Sequence, residues 1–231
     1  MINTLKFSAE ELRVNAANIL IEKLNKFGQE GKRCLLLLSG GSAVSLYQNP
    51  AEYIDKLQIR SDFLAFGQVD ERFRPYNIEK INAVAIEKTG LIEKLESRAI
   101  PFYRIPQSGD MREAAFNYDR LLKKLFRKYD FHLAVLGIGK DGHTAGLLRG
   151  YRSEWDKDRL VIGYETRGEF RQRITITPDA FRNLDYGLIF VAGVEKKEIT
   201  DRILNKAVED VNNLPGILIH KIKEVDLVRN I

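Results

Sequence analysis

A glycine-rich segment, GIGKDGHTA at residues 137–145, combines two residue types that could carry out acid–base chemistry. Histidine is the usual general base or acid near neutral pH, and this segment holds His143, one of only 3 histidines in the chain. Asp141, two residues earlier, could orient the imidazole ring or help to place a water molecule. A helix N-cap would explain Asp141 and Thr144 but not His143. A serine triad has little support, because the sequence contains no GxSxG elbow.

Glycines also follow a short apolar run in LLLLSGGS, residues 35–42. Gly40 and Gly41, followed by Ser42, would let backbone N–H groups approach an anion closely at the start of the next helix. The segment therefore predicts a phosphate cradle, although a tight strand-to-helix turn fits this loop equally well. It is not a Walker motif, because no Gly-Lys-Ser/Thr stands in the required register.

Charged residues follow another apolar run in FLAFGQVDERFRP, residues 63–75. Solvated loops commonly have such a composition. An arginine beside two carboxylates would instead suit a polar pocket. In such a pocket Arg72 could bind phosphate through two parallel N–H groups, and Asp70 would lie beside Arg72. Asp70 and Arg72 are therefore candidate site residues in combination with the other loops.

Two more cations are candidates for the same pocket. Lys196 lies in the first turn of a helix predicted after Gly193, where the helix dipole disfavours positive charge unless a bound anion offsets the cost. A surface lysine is the simpler alternative. Arg173 alternates with apolar residues in RITIT, so it points either into the pocket or outward to solvent.

Apolar periodicity predicts alternating helices and strands along the chain. Helices are predicted at residues 8–28, in parts of 43–58, at 79–95, at 111–128 and after Gly193. Strands are predicted at residues 33–38, 62–72, 131–139, 159–165, 171–177, 186–193 and 215–220. This alternation indicates an α/β fold with a mostly parallel sheet and helices on both faces, a doubly wound (Rossmann-like) sandwich. No linker or repeat divides the chain, so we expect one domain over residues 1–231.

In a sheet of this kind, ligands bind beyond the carboxyl ends of the strands, where strand-to-helix loops converge. The loops at residues 39–42, 70–75, 137–144 and 193–197 all qualify, and all are rich in glycine or ionisable residues. The predicted fold therefore brings the candidate residues to one edge of one sheet.

The formal net charge is +5 and the sequence pI is about 9.2. Nucleic acid is one partner that such a balance attracts, and RLLKKLFRK at residues 120–128 is the strongest basic run. Its apolar residues have helical spacing, so a solvated helix face explains the run better. An anionic small molecule explains the charge equally well, and we expect no nucleic-acid partner.

The remaining composition excludes several classes. Cys34 is the only cysteine, so an internal disulfide is excluded, and the histidines lack metal-ligand spacing. Apolar runs are too short to span a bilayer, and the first residues lack the pattern of a signal peptide. We therefore expect a cytoplasmic protein with no metal and no membrane partner.

With these residues in view, the sequence resembles the 6-phosphogluconolactonase family, within a superfamily that includes glucosamine-6-phosphate deaminase. The matching pieces are SGGS, VDER, LGIGKDGHTA, RITIT and VAGVEKK, which occur in the family's order. The resemblance implies hydrolysis of 6-phospho-D-glucono-1,5-lactone to 6-phosphogluconate, in the oxidative pentose phosphate pathway, without metal or organic cofactor.

The resemblance also implies a role for each candidate residue. His143 would be the base that activates water, and Asp141 would support it. Asp70 would line the sugar end of the pocket, and Arg173 would lie near the phosphate. The phosphate itself would be held by Gly40, Gly41, Ser42, Arg72 and Lys196.

The chain departs from the family pattern at three places. Ala43–Val44 replace a Thr-Pro pair after SGGS. Gly146 and Arg149 replace a serine and a proline after GHTA. Ile81 replaces the serine of a Ser-Asn pair, of which Asn82 remains. We expect any change of substrate to originate after GHTA, in GLLRG at residues 146–150.

Two alternative functions remain open at this point. An amino-sugar-phosphate deaminase or isomerase would use Asp70 for enolisation, but its pattern has tyrosine after DE and Ile-Ala-Phe after GH, whereas this chain has DER and GHTAG. A non-catalytic sugar-phosphate-binding protein would keep the pocket without turnover. The sequence is compatible with a monomer and does not fix the oligomeric state.

Overall fold

The computed structural model describes residues 1–152, 158–205 and 210–230. Its strands are β1 (Ile2–Lys6), β2 (Cys34–Leu38), β3 (Leu64–Gln68), β4 (Asp70–Arg72), β5 (Phe131–Gly137), β6 (Val161–Glu165), β7 (Gln172–Ile176), β8 (Tyr186–Val191) and β9 (Glu224–Arg229). Its α-helices are α1 (Leu12–Gln29), α2 (Ala51–Ile54), α3 (Asn82–Glu87), α4 (Leu91–Ser97), α5 (Met111–Lys128), α6 (Pro178–Arg182) and α7 (Lys197–Leu204). Short 3₁₀ helices include Gly41–Tyr47, Val194–Lys196 and Pro215–Lys221.

Six of these strands form a parallel sheet in the order β1-β9-β8-β5-β2-β3. The chain passes from β2 to β3 on one side, then crosses to β5 on the other side of β2. This reversal creates a topological switch point between β2 and β5, where open α/β sheets form their ligand crevice. The carboxyl ends of β8, β5, β2 and β3 therefore lie side by side around it.

Two hydrophobic cores lie on opposite faces of the parallel sheet, because successive side chains of a strand point to opposite faces. From β2, Leu35 and Leu37 pack in one core with α5, α6, β6 and β7. Leu36 and Leu38 pack in the other core with α1, α2 and α4. The predicted α/β architecture, a mostly parallel sheet with helices on both faces, is confirmed.

A second, antiparallel sheet has the order β4-β7-β6. The strands predicted at 159–165 and 171–177 belong to this sheet, and the strand predicted at 62–72 divides between the two sheets. In the β4–β7 pair, Asp70 lies opposite Thr175 and Arg72 lies opposite Arg173. The second sheet thus brings two candidate segments together that are about a hundred positions apart in the sequence.

The prediction of a strand at residues 215–220 is wrong, because Pro215–Lys221 is a 3₁₀ helix. Proline fixes φ and lacks the N–H that a ladder needs, so Pro215 favours the first turn of a helix. The last strand is β9, which pairs with β8 and β1. No helix in the described part of the chain is long and apolar enough to cross a membrane.

Candidate functional site

A pocket of about 390 Å³ opens at the carboxyl ends of the central parallel strands. It is lined by all the predicted site residues except Asp141, namely Gly40, Gly41, Ser42, Asp70, Arg72, His143, Arg173 and Lys196. Other residues that line it include Ser39, Asn82, Lys140 and Phe170. The predicted convergence of these loops at one edge of the sheet therefore exists in the structure.

His143 forms a hydrogen-bonded pair with Asp141, which lies behind it rather than in the pocket wall. Asp141 Oδ1 lies 2.5 Å from His143 Nδ1 and accepts a second hydrogen bond from the His143 backbone N at 3.3 Å. This pairing lowers the pKa of Asp141 to about 2, although partial burial acts in the opposite direction. Within the described residues, Nε2 of His143 has no hydrogen-bond partner.

The loop can hold this pair because its glycines make room for it. A Cβ atom at Gly139 would lie 2.1 Å from two ring atoms of His143, so only glycine lets the ring fold back over the loop. Gly142 has φ +82, and a Cβ there would lie 2.3 Å from Leu214. Thr144 Oγ1 donates to the Gly137 carbonyl at 2.9 Å and closes the loop. Glycines at positions 139 and 142 therefore let the loop hold the His143 ring in this position.

Lys196 and Ser42 connect the loops that follow β8 and β2. Lys196 Nζ donates to Ser42 Oγ at 3.0 Å, although the two residues are 154 positions apart. The Lys196 side chain is largely buried, and burial lowers the pKa of its ammonium group. The Glu195 carboxylate acts in the opposite direction, and nearby Lys140 lowers the pKa further. A partly desolvated cation next to Lys140 is an arrangement that a bound anion would stabilise.

Asp70 lies at the bottom of the pocket and is held by Asn82. Asn82 Nδ2 donates to the Asp70 carboxylate and to its backbone carbonyl, each at 3.2 Å. Burial raises the pKa of the Asp70 carboxyl, while Arg173 and His143 act in the opposite direction. A Cβ atom at Gly40 would lie 2.1 Å from Asn82, so this close approach requires glycine there. Glycine at position 40 therefore lets Asn82 pack against the loop, in addition to its predicted part in the phosphate cradle.

Glu71, the third residue of the VDER motif, has a structural role. Its carboxylate is fully buried and accepts hydrogen bonds from the backbone N of Asn82 at 2.5 Å and of Ala83 at 2.8 Å. Gln68 and the Arg72 backbone donate to it as well. The carboxylate thus fixes the start of α3, which carries Asn82 into the pocket.

Arg72 and Arg173 lie on paired strands and line the same side of the pocket. Arg72 Nη1 donates to the Lys80 carbonyl at 2.8 Å, while its buried Nε has no partner among the described residues. Burial lowers the pKa of the Arg72 guanidinium, and Arg173 lowers it further. Arg173 Nη1 lies 3.9 Å from Asp70 Oδ2. Arg173 therefore faces the pocket, the first of the two orientations that its spacing allowed.

Ser39 and Lys140 line the pocket from the predicted loops at 39–42 and 137–144, although neither was a candidate site residue. Asn82, predicted only as the retained half of a Ser-Asn pair, and Phe170, which was not predicted, line it too. Phe170 lies in a hairpin loop without a motif, and only the pairing of β6 with β7 brings it to the pocket.

Most departures from the family pattern lie outside the pocket wall. Ala43 is buried in the hydrophobic core next to Val44. Arg149 is exposed and does not line the pocket. Gly146 is buried, and a Cβ atom there would lie 2.8 Å from Thr175 Cβ. The serine that the family pattern has at this position would therefore require Thr175 or the loop to shift.

Comparison with known proteins shows relatives over most of the chain. The chain is 28% identical over 222 residues to the 6-phosphogluconolactonase of Rattus norvegicus, covering 92% of this chain and 84% of that protein. It is 29% identical over 194 residues to the 6-phosphogluconolactonase of Homo sapiens, covering 81% and 74% respectively.

The fold is also found in solved structures. The structure of 6-phosphogluconolactonase from Plasmodium vivax matches with a TM-score of 0.83 at 19% identity, covering 99% of this chain and 90% of that one. The family model described as glucosamine-6-phosphate isomerases/6-phosphogluconolactonase matches residues 8–228. Because this match spans nearly the whole chain and both sheets that form the pocket, the chain belongs to the glucosamine-6-phosphate isomerase/6-phosphogluconolactonase family.

Proposed function

We propose that this protein hydrolyses 6-phospho-D-glucono-1,5-lactone to 6-phosphogluconate, as a carboxylic ester hydrolase. The observation that carries the proposal is one pocket with a hydrogen-bonded His143–Asp141 pair beside the buried Lys196 and the half-buried Arg72 and Arg173. An ester needs a base that activates water, and a phosphate dianion needs several cations. The names of the relatives, given above, support the same substrate.

In the proposed reaction, His143 Nε2 accepts a proton from a water molecule as the water oxygen attacks the lactone carbonyl carbon. The bond between that carbon and the ring oxygen then breaks, and the imidazolium returns the proton to the ring oxygen. Asp141 accepts the hydrogen bond from Nδ1–H, which selects the tautomer with a free Nε2 lone pair and stabilises the imidazolium. Its low pKa keeps it ionised throughout the neutral range.

The other residues of the pocket would bind the substrate. Lys196, Arg72 and Arg173 supply positive charge for the phosphate, and Ser42 supplies a hydroxyl beside Lys196. Gly40 and Gly41 would complete this phosphate site with backbone N–H groups. Asp70, held by Asn82, would accept hydrogen bonds from sugar hydroxyls. We infer that the phosphate fixes the substrate so that the lactone carbonyl lies near His143.

The test is turnover of freshly generated 6-phosphogluconolactone, corrected for spontaneous opening, by wild type, His143→Ala and a control, His220→Ala. His220 Nε2 donates to the Ile203 carbonyl at 2.8 Å, and His220 lies outside the pocket. We expect kcat of His143→Ala to fall about 10²- to 10⁴-fold, since that is the usual contribution of general base catalysis. Binding of 6-phosphogluconate to His143→Ala should stay close to that of wild type.

Other outcomes would contradict the proposed lactonase activity. Binding of 6-phosphogluconate by wild type without any acceleration of hydrolysis would indicate a sugar-phosphate-binding protein. Release of ammonia from glucosamine 6-phosphate would indicate a deaminase. Full activity of His143→Ala would remove the general base from the mechanism. A cytoplasmic location, a single domain and a monomeric state stay predictions from the sequence.

A further inference from the structure

Phe170 is a pocket residue that the proposed mechanism does not use. It lies in the loop between β6 and β7, where the Thr166 backbone N donates to the Arg171 carbonyl at 2.7 Å. Its side chain is partly buried and lines the pocket beside Arg72 and Arg173. A phenyl ring has no N–H or O–H to donate to a phosphate oxygen, so its place beside two arginines needs another explanation.

The ring of Phe170 stacks against Arg72. The guanidinium carbon of Arg72 lies 3.9 Å from the ring centroid, well within the range of a cation–π contact. Arg72 is otherwise fixed only by its hydrogen bond to the Lys80 carbonyl, since its buried Nε has no partner among the described residues. The ring therefore helps to set the plane of the Arg72 guanidinium, which lines the pocket.

Phe170 also holds Arg173, by two contacts. Arg173 Nε donates to the Phe170 backbone carbonyl at 3.2 Å, and its guanidinium carbon lies 5.5 Å from the ring centroid. Two neighbouring guanidinium groups repel each other. The Asp70 carboxylate carries the opposite charge, but its Oδ2 lies 3.9 Å from Arg173 Nη1, so the two groups are not in tight contact. The Phe170 ring lies close to both guanidinium groups, and to that of Arg74 at 5.4 Å, so its negative face offsets part of this repulsion without using a hydrogen-bond donor.

The hairpin loop that carries Phe170 is tied to the segment before α3. Lys80 Nζ lies 2.8 Å from the Glu169 carboxylate, and the Lys80 carbonyl is the acceptor for Arg72. Both side chains of this ion pair are more than half exposed, so the pair itself contributes little. The pairing of β4 with β7 joins the backbones of the two arginines, so the Phe170 ring acts on their side chains.

We propose that Phe170 is a positioning residue that holds Arg72 and Arg173 in place for the phosphate group of the substrate. The proposal rests on the proposed function, in which these arginines bind the phosphate. It predicts that loss of the ring weakens recognition of the phosphate and leaves the acid–base step unchanged. Phe170 would thus set KM and the preference for a phosphorylated substrate.

The experiment compares steady-state kinetics of wild type, Phe170→Leu and Phe170→Tyr, on 6-phosphogluconolactone and on glucono-1,5-lactone, which lacks the phosphate. We expect Phe170→Leu to raise KM for the phosphorylated lactone about 3- to 30-fold, with kcat close to wild type, as loss of a partly desolvated cation–π contact implies. Its turnover of the unphosphorylated lactone should not change. Phe170→Tyr keeps the ring and should restore KM.

The matched control is Phe116→Leu. Phe116 also faces an arginine, since the Arg120 guanidinium carbon lies 5.8 Å from its ring centroid, but it is 53% exposed on α5 and does not line the pocket. Its KM should equal that of wild type. Thermal melts of all variants show whether each one folds.

Two results would overturn the proposal: an unchanged KM for Phe170→Leu, whether or not kcat falls, or a Phe170→Tyr variant as weak as Phe170→Leu. Failure of the proposed function is a separate result, because wild type would then show no turnover. In that case, calorimetry of 6-phosphogluconate binding to the same variants still tests the role of Phe170. We then expect Phe170→Leu to bind 6-phosphogluconate about 3- to 30-fold more weakly than wild type.

Discussion

Replacing Asp141 with asparagine tests whether the carboxylate orients His143. Asp141 Oδ1 lies 2.5 Å from His143 Nδ1, and Asp141 stays ionised because its pKa is held at about 2. Asparagine keeps the size of the side chain but removes its charge. Its NH₂ group could also face Nδ1, which would select the tautomer that has its proton on Nε2 and cannot act as the base.

The magnitude follows from the pKa of Asp141. A displacement from 3.8 to about 2 corresponds to an interaction of at most about 2.4 kcal/mol. Because the Asp141 side chain is 49% exposed, screening by solvent reduces this to roughly half. About 1.2 to 1.4 kcal/mol is close to a tenfold change in rate. We therefore expect Asp141→Asn to lower kcat about tenfold and to leave KM near the wild-type value.

The assay is initial-rate hydrolysis of 6-phosphogluconolactone over a range of substrate concentrations. The control is Asp130→Asn: Asp130 also has a pKa of about 2, pairs with Arg33 at 3.1 Å, and precedes β5 at the end of that strand away from the pocket. Its kcat should equal that of wild type. A wild-type kcat for Asp141→Asn would refute the orienting role and leave Asp141 as a turn residue. Equal losses in both variants would point to reduced stability instead.

Further predictions concern charge and packing in the same pocket. Burial lowers the pKa of Lys196, so the ammonium group should lose its proton at a lower pH than an ordinary lysine. Affinity for 6-phosphogluconate, measured by calorimetry as pH rises, should therefore fall earlier in wild type than in Lys196→Arg; identical profiles would contradict this. Gly146→Ser would place a Cβ atom 2.8 Å from Thr175 Cβ and 3.1 Å from Asp70 Cβ. Overpacking costs about 1–3 kcal/mol, so calorimetric Tm should fall by about 2–12 °C. Gly137→Ala, with no atom nearer than 3.8 Å, should change Tm little, and an equal Tm for Gly146→Ser would show that the loop yields.

Much of the site could be predicted from the sequence because its residues follow buried strands directly. CLLLL is apolar at every position, as a central parallel strand must be, and the glycines and charged residues after it mark the carboxyl end. The amphipathic helix predicted at 111–128 has the bounds of α5, since its apolar spacing is regular and Asp110 caps its first turn. Local order of this kind depends on neighbours in the sequence.

Other features depend on partners that are distant in the sequence. β9 pairs with β1 across more than two hundred positions, and no short-range pattern identifies either partner. The position of Phe170 depends on the antiparallel pairing of β6 with β7 and of β7 with β4. Gly146 is required by Thr175 on the second sheet rather than by its own loop.

The sequence by itself determined the α/β class, the four loops and the residue types in them, including His143, Asp141 and Lys196. Only the tertiary structure decided that Asp141 lies behind His143 and outside the pocket wall, that Arg173 points inward, and which residues hold the arginines. The physical reason is that residue type and helical or strand period act over a few neighbours, whereas side-chain direction at a site is set by packing between elements.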